Sequence, residues 1–420
     1  MKTIKKVRKY FVRKLHKEIG IAIIAIIAIF LIANLIKPDG QMSARENRML
    51  QQRPSISMEN IENGSFMEDY ESYVSDQFIF RDFWVSVKAR IDLLMGKNYS
   101  NGVYKGKDGY LIEEAKAPVE NSMAANVQAI NTLADSGNVN VYMMLVPDAV
   151  EIMDEKLPAF APVRDQAADI ADFTSRLSGN VTQIDVSQTL RDHRLDEQMY
   201  YRTDHHWTTL AAYYAFLEAA KTLGIDSSTV SYDRYTVSTD FVGTMASTSG
   251  YGASRKDAVE IFVPNNTDVE YVVEYVEERE KKPTVYDSEM LEGNDKYTVF
   301  FGGNHPIIDI NTTNQQGRRL LVVKDSYANC FIPFLIPYYR EIVIVDPRYY
   351  YDNVNQEIAD SNIDDVLFLY NANTFFEDNS LSSVFEPVTS ADGSGNSDTS
   401  NTDSGETGAS DTSGETAQSE

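Results

Sequence analysis

Two short runs in this chain hold side chains whose types and spacing suit chemistry. The first is Tyr201-Arg202-Thr203-Asp204-His205-His206-Trp207, which stands directly before a helical stretch and carries two of the five histidines. Asp204 and His206 are separated by one residue. In a turn, the carboxylate can therefore accept a hydrogen bond from one imidazole nitrogen and aim the other nitrogen at a nucleophile. The second run, Leu320-Leu321-Val322-Val323-Lys324-Asp325-Ser326-Tyr327-Ala328-Asn329, supplies that nucleophile. An apolar strand there runs into Asp-Ser and a helix start, where free backbone N–H groups and the helix dipole stabilise a developing oxyanion. Ser326, His206 and Asp204 are thus the expected nucleophile, base and orienting carboxylate of a Ser-His-Asp site.

Plainer readings stand beside this one. Asp and Ser are good helix caps, and a histidine before a helix can simply fill the core. Asp204, His205 and His206 could also ligate zinc, manganese or iron and centre a metal-dependent phosphoesterase. Adjacent histidines point in different directions in regular structure, and the sequence offers no second Asp/His cluster, so the reading adopted here has no metal and no cofactor. Arg202 and Arg348, the latter in Asp346-Pro347-Arg348-Tyr349-Tyr350-Tyr351, are candidates for holding a substrate carboxylate or phosphate. Tyr349 and Trp207 are candidates for contact with sugar faces. Cys330 is the only cysteine, which excludes an internal disulfide framework; its place in an apolar run makes it a small buried hydrophobe.

The elements that must position these residues follow from hydrophobic patterning. Helical stretches at Ala124–Ser136 and Val163–Leu177 lead to apolar runs at Val139–Val146 and Val181–Val186, and a third helix, Thr208–Leu223, stops at Gly224. Later apolar runs, Arg319–Val323, Glu341–Val345 and Asp365–Leu369, are again separated by helix-length segments. Continuous apolar strands between helices predict an α/β fold, a parallel sheet with helices on both faces. Residues 101–388 are assigned to this domain, with a β-rich insertion at about 231–316 that builds the rim of a site. Before it, residues 37–100 form a juxtamembrane linker and one or two amphipathic helices within Phe66–Met95, and Val103–Ile112 reads as a hairpin. After it, residues 389–420 form an acidic Ser/Thr/Gly tail unable to bury enough surface to fold.

The N-terminus indicates the compartment. Residues 19–36 hold no charge and one polar residue, Asn34, and span roughly 27 Å as a helix, enough for a transmembrane anchor. Residues 1–18 carry eight Lys or Arg against one Glu, so this basic segment is expected in the cytoplasm and the main domain outside. No small-x-small cleavage site follows the apolar run, which favours an uncleaved anchor. The whole chain has a formal charge of −25, and the part beyond the basic segment is more negative still. Such a surface repels nucleic acid, so none is expected as a partner.

The motifs also carry a resemblance. Asp204-His205-His206-Trp207, Lys324-Asp325-Ser326-Tyr327-Ala328-Asn329 and Phe301-Gly302-Gly303-Asn304 together resemble the DHHW family of bacterial surface proteins, itself similar to the SGNH-hydrolase-like domains of the alginate O-acetylation proteins. The likeness runs from about Ser43 to Phe376. It implies an SGNH-hydrolase-like (flavodoxin-like) domain whose Ser, His and Asp move acetyl esters, carried here by Ser326, His206 and Asp204, with His205, Asp325 and Tyr327 in support. Val366-Leu367-Phe368-Leu369-Tyr370-Asn371-Ala372-Asn373 resembles the strand and Gly-x-Asn element of that group, so Asn373 is the implied oxyanion-hole residue. Two positions depart from the pattern: Asn371 replaces the Gly, and Lys324 stands where Gly commonly precedes Asp-Ser. The implied function is an O-acyltransferase or acylesterase acting on cell-surface glycan, with a membrane-embedded acyl donor protein as partner. The competing reading is a catalytically silent glycan-binding or envelope-assembly protein.

Overall fold

Strands with apolar side chains at every position need cover on both faces, and the order of elements provides it. The computed structural model describes residues 2–43 and 48–385, apart from the side chains of residues 2–13 and 59. The expected tail at 389–420 lies outside the described residues. Helix α1 (Lys2–Ile36) contains a stretch, Lys14–Ile36, long and apolar enough to cross a membrane. Helices α2 (Ser65–Gln77) and α3 (Arg81–Leu94) follow, and then the hairpin of β1 (Val103–Lys105) and β2 (Leu111–Glu113).

Helix α4 (Glu120–Asp135) leads into β3 (Asn140–Val146), and α5 (Gln166–Ser175) into β4 (Val181–Gln183). Helix α6 (Thr209–Leu223) is capped at its start by the Thr208 hydroxyl, which accepts from the Ala211 N–H. It ends at Gly224, whose φ of 70° suits glycine. The insertion holds β5 (Tyr232–Phe241) paired antiparallel with β6 (Asp257–Pro264), and then β7 (Tyr271–Tyr275), β8 (Glu280–Lys282) and β9 (Ile307–Thr312). The chain closes with β10 (Arg318–Lys324), β11 (Tyr339–Val345), α7 (Val354–Asp360), β12 (Asp365–Asn371) and α8 (Ala372–Glu377).

Eight strands make one sheet in the order β8-β7-β9-β11-β10-β12-β3-β4. The run from β11 to β4 is parallel, whereas β8, β7 and β9 extend it antiparallel. The insertion is therefore partly a continuation of the main sheet. The last strand, β12, enters the middle of the sheet between β10 and β3, which brings its C-terminal end beside theirs. Alternation along the strands divides the core. Leu320, Val322, Leu367 and Leu369 face the layer containing α6, and Leu321, Val323, Val366 and Phe368 face the layer with α4, α7 and α8.

Leu367 lies wholly buried in β12, opposite Val322 of β10 and Tyr142 of β3. Leu367→Ala should cost about 2–5 kcal/mol, read as a lower urea midpoint with unchanged slope in the detergent-solubilised chain. A cost under about 1 kcal/mol would contradict a central position for this strand.

Candidate active site

Strand ends set the positions of the reactive groups. Strand β10 delivers Asp325 and Ser326 at its C-terminal end, where Asp325 caps the short helical turn Ser326–Cys330 by accepting from the Tyr327 N–H at 2.8 Å. Its other oxygen accepts from the Asn371 N–H and side-chain amide, at 2.9 and 2.6 Å. Burial pushes the Asp325 carboxyl up to about 6, against the pull of Arg348. Ser326 begins the turn, so intrahelical bonding leaves its N–H over.

The histidine loop is closed by an isolated bridge between Tyr200 and Trp207 and by a 3.1 Å bond from the Tyr201 N–H to the His206 carbonyl. From this loop the Trp207 indole donates to the Tyr327 carbonyl at 3.0 Å and stacks on the Tyr327 and Phe331 rings. Loop and turn are thereby joined. His206 Nε2 lies 2.8 Å from Ser326 Oγ, and His206 Nδ1 lies 2.5 Å from Asp204 Oδ1. The His206 and Thr244 backbone N–H groups also donate to the Asp204 carboxylate. Burial opposes ionisation of Asp204, yet the two imidazoles and these hydrogen bonds outweigh it and hold its carboxyl well below the usual range. The Tyr297 ring stacks on His206, centroids 3.8 Å apart, and its hydroxyl donates to the Ser326 carbonyl at 2.9 Å. The stacking leaves the imidazole little freedom to turn.

The other expected residues have varied places. His205 lies beside His206, ring centroids 4.0 Å apart, and its carbonyl accepts from the Tyr327 hydroxyl at 2.5 Å. Trp207 is wholly buried, which corrects its expected contact with substrate: its ring is a brace between loop and turn. Arg202 is half-buried and donates to Gln198 and to the buried Asp257. The fork of Arg348 is engaged by Asp346, at 2.8 and 2.6 Å, while its plane lies over the exposed Tyr349 ring. Lys324, buried where the pattern has Gly, donates to Asp346 at 3.1 Å and to Asn304 Oδ1 at 3.2 Å. Asn373 donates to the Glu114 carbonyl and accepts from the Lys116 N–H and Gln166, so its amide braces the segment after β2.

Sequence reasoning missed several neighbours. Gly243 passes so close to Asp204 that a Cβ there would sit 2.2 Å from the Asp204 Cβ. Asp148, just past the end of β3, is buried; Asn373 N–H and Gln166 Nε2 donate to one of its oxygens. Its other oxygen is 3.4 Å from the Tyr327 hydroxyl, whose only proton goes to His205. A protonated Asp148 can donate there, and burial, with Glu113 nearby, pushes its carboxyl up to about 8. The signal was available: Val146-Pro147-Asp148 repeats the pattern of an acid just after an apolar strand. Asn304 is exposed, with Oδ1 taken by Lys324 and Asn329, which turns its N–H pair away from them.

Ligand atoms of Asp204, His205 and His206 lie within 4.8 Å of one another, a spacing a metal ion can use. Both ring nitrogens of His206 are already hydrogen-bonded, to Asp204 and Ser326, so a metal would have to break the arrangement just described.

The sequence profile described as DHHW protein matches residues 116–345. The probable alginate O-acetylase AlgJ of Pseudomonas fluorescens is 25% identical over 170 residues, covering 38% of this chain and 43% of that protein. The chain thus spans less than half the length of this curated relative. A solved DHHW family protein from Eubacterium siraeum is 26% identical, with a TM-score of 0.57 over 68% of this chain and 95% of its own. Bacillus cereus PatB1, solved with a sulfonyl adduct, shares the fold at 23% identity and a TM-score of 0.54, over 65% of this chain and 95% of its own.

Gly243→Ala should push Asp204 out of line and lower the reactivity of Ser326 toward a fluorophosphonate by about 10²-fold; unchanged labelling would show that the close approach is dispensable. Asp148 bears on stability through its proton. Its folded value lies above the unfolded one, so the stability it contributes is complete below about pH 4 and lost as pH rises through about 8. Thermal midpoints should fall over that window, less steeply in Asp148→Asn, with Asp325 and Glu113, also shifted up, giving the remaining slope. Identical slopes would mean that Asp148 is ionised in the folded protein.

Proposed function

The chain belongs to the DHHW protein family, and on that premise we propose that it moves acyl groups, acetyl above all, onto or off the hydroxyls of a cell-envelope polysaccharide. The single observation that supports this most is the unbroken line from Asp204 through His206 to Ser326, with contacts of 2.5 and 2.8 Å. In this reading Ser326 Oγ attacks the acyl carbonyl carbon as its proton passes to His206 Nε2. The bond to the donor oxygen breaks, and that oxygen takes the proton from His206. An incoming hydroxyl, of sugar or water, then gives its proton to His206 and attacks the acyl carbon; the bond to Ser326 Oγ breaks, and that oxygen takes the proton back from His206. Asp204, held ionised, stabilises the imidazolium in both halves.

The Ser326 N–H is the oxyanion donor in this scheme, and the outward N–H pair of Asn304 is a candidate second. Tyr349 offers an exposed ring at the end of β11 on which a sugar face can stack. The charge asymmetry around the apolar stretch of α1 supports a cytoplasmic N-terminus and a domain outside. No activated acyl cofactor is expected there, so a membrane-embedded donor protein is the proposed source of the acyl group. One observation favours the catalytically silent reading: the amide of Asn373 is engaged by Glu114 and Lys116.

The two readings separate cleanly. Purified full-length chain should turn over an acetyl ester and take a fluorophosphonate label, and Ser326→Ala should remove the label and lower turnover by about 10³-fold or more. Wild-type protein that neither labels nor turns over would leave the glycan-binding reading. Raising the concentration of an oligosaccharide acceptor should divert acetyl groups from water to sugar if transfer is the physiological reaction.

A further inference from the structure

Helices α2 and α3 expose more apolar surface than a water-facing elbow should. At their junction Phe80 is 68% exposed, and along α3 Phe83 is 59%, Trp84 40% and Leu94 89% exposed. Phe83, Trp84, Val87, Ile91 and Leu94 recur at spacings that lie along one helical face. Met67, Tyr70 and Val74 repeat the pattern on α2. An exposed apolar stripe of this length marks an interaction site.

The contacts of this elbow with α1 identify what covers it. Phe30 stacks on Phe78 with ring centroids 6.2 Å apart and meets Trp84 edge-on at 5.8 Å. Asn34 Oδ1 accepts from the Ile79 N–H at 2.8 Å. Lys37 donates to the Gln77 carbonyl, Gln77 grips both backbone groups of Gly40, and the Tyr73 hydroxyl donates to Asp39. Phe30 and Asn34 both belong to the stretch able to cross a membrane. Phe30 lies six residues before Ile36, roughly 9 Å along the helix axis, so rings packed on it sit at the edge of the hydrocarbon. In that setting Asn34 and the Ile79 N–H need each other, because no water is there to satisfy either.

We propose that the α2–α3 elbow is a second membrane contact, lying in the bilayer interface with Phe80, Phe83, Trp84 and Leu94 among the acyl chains. The inference rests on reading α1 as a membrane anchor. Residues 65–97 carry six acidic groups against four basic ones, no excess of cations that would call for anionic lipid, so the contact is apolar and neutral lipid suffices. It fixes the height and tilt of the domain, which a flexible linker would leave free.

Trp84 is a built-in probe, because the only other tryptophan, Trp207, is wholly buried in the domain. Full-length chain is reconstituted into phosphatidylcholine vesicles whose acyl chains are plain or brominated. Brominated lipid should remove about half or more of the Trp84 emission, as for a belt tryptophan, and this quenching should vanish in Trp84→Phe. Phe80→Ser with Phe83→Ser should weaken it, while unchanged Trp207 emission reports an intact domain. Alkaline extraction is run in parallel. Chain that resists extraction but shows no quenching of Trp84 overturns the proposal and leaves the face to a protein partner. Chain that is extracted overturns the anchor reading itself, and the proposal with it.

Discussion

The indole N–H of Trp207, donated to the carbonyl of Tyr327, joins two loops that are 120 residues apart. One loop carries Asp204 and His206, the other Ser326, and neither has strong local reasons to seek the other. Stacking of Trp207 on Tyr327 and Phe331 adds a broad apolar contact to a single directional bond. Tyr327 returns the link by donating to the His205 carbonyl. The 2.8 Å contact between imidazole and hydroxyl is therefore a consequence of this brace, because a single side-chain hydrogen bond is too weak to order two loops. A large aromatic residue beside the histidines reads as a substrate platform when seen alone. Its burial shows that holding the loop was the more demanding task.

Around that brace the protein buries several acids with few cations, and each acid meets a different solution. Asp204 receives hydrogen bonds and two imidazoles, which keep it ionised. Asp346 is shared by Lys324 and Arg348, and their charges outweigh its burial. Asp325 is hydrogen-bonded only by amide and backbone N–H groups, and its burial outweighs these and the pull of Arg348, so its carboxyl rises to about 6. Asp148 has still less, with Glu113 close by, and is pushed up to about 8. Three carboxyls at strand ends and one on the histidine loop thus span states from firmly charged to neutral, set by the donors and charges around each. The replacement of Gly by Lys324 belongs to this pattern, since its ammonium balances Asp346 beneath the turn that carries Ser326.

Much of the fold was legible because burial on two faces leaves an unmistakable record: β3, β10, β11 and β12 read as continuous apolar runs separated by helices. The pairing of those strands left no such record. Nothing local states that β12 enters between β3 and β10, or that β7, β8 and β9 extend the parallel sheet antiparallel, because both depend on contacts distant in sequence. At the candidate site, an Asp-x-His run before a helix and a Ser after an apolar strand were visible, and so Asp204, His206 and Ser326 could be named together. Residues that work by shape were not. Gly243 is required by a clearance of 2.2 Å from a residue about forty positions away, and Tyr297 by the plane of an imidazole. Arg202 and Arg348 show a second use for such residues. A charged residue near a motif suggests a substrate, but an acidic protein must also pair its own buried carboxylates, and Asp257 and Asp346 hold those two arginines.

On the proposed reading of α1 as an anchor, the position of the domain relative to the membrane follows from a similar competition between local and distant demands. Asn34 is a costly residue within an apolar stretch, and its amide is matched by a backbone N–H from the turn between α2 and α3. Phe80 sits at that turn with a φ of 56°, a conformation that bulky residues seldom adopt. A sequence shaped only for a soluble elbow would place Gly or Asn there and keep the ring out of water. Both oddities make sense together if the turn is held against the end of α1, where the amide finds its partner and the ring finds lipid. The linker region then acts as a rigid bracket. Its rigidity matters for any reaction in which the acyl donor is confined to the membrane, because a site held at one height meets such a donor far more often than one on a loose tether.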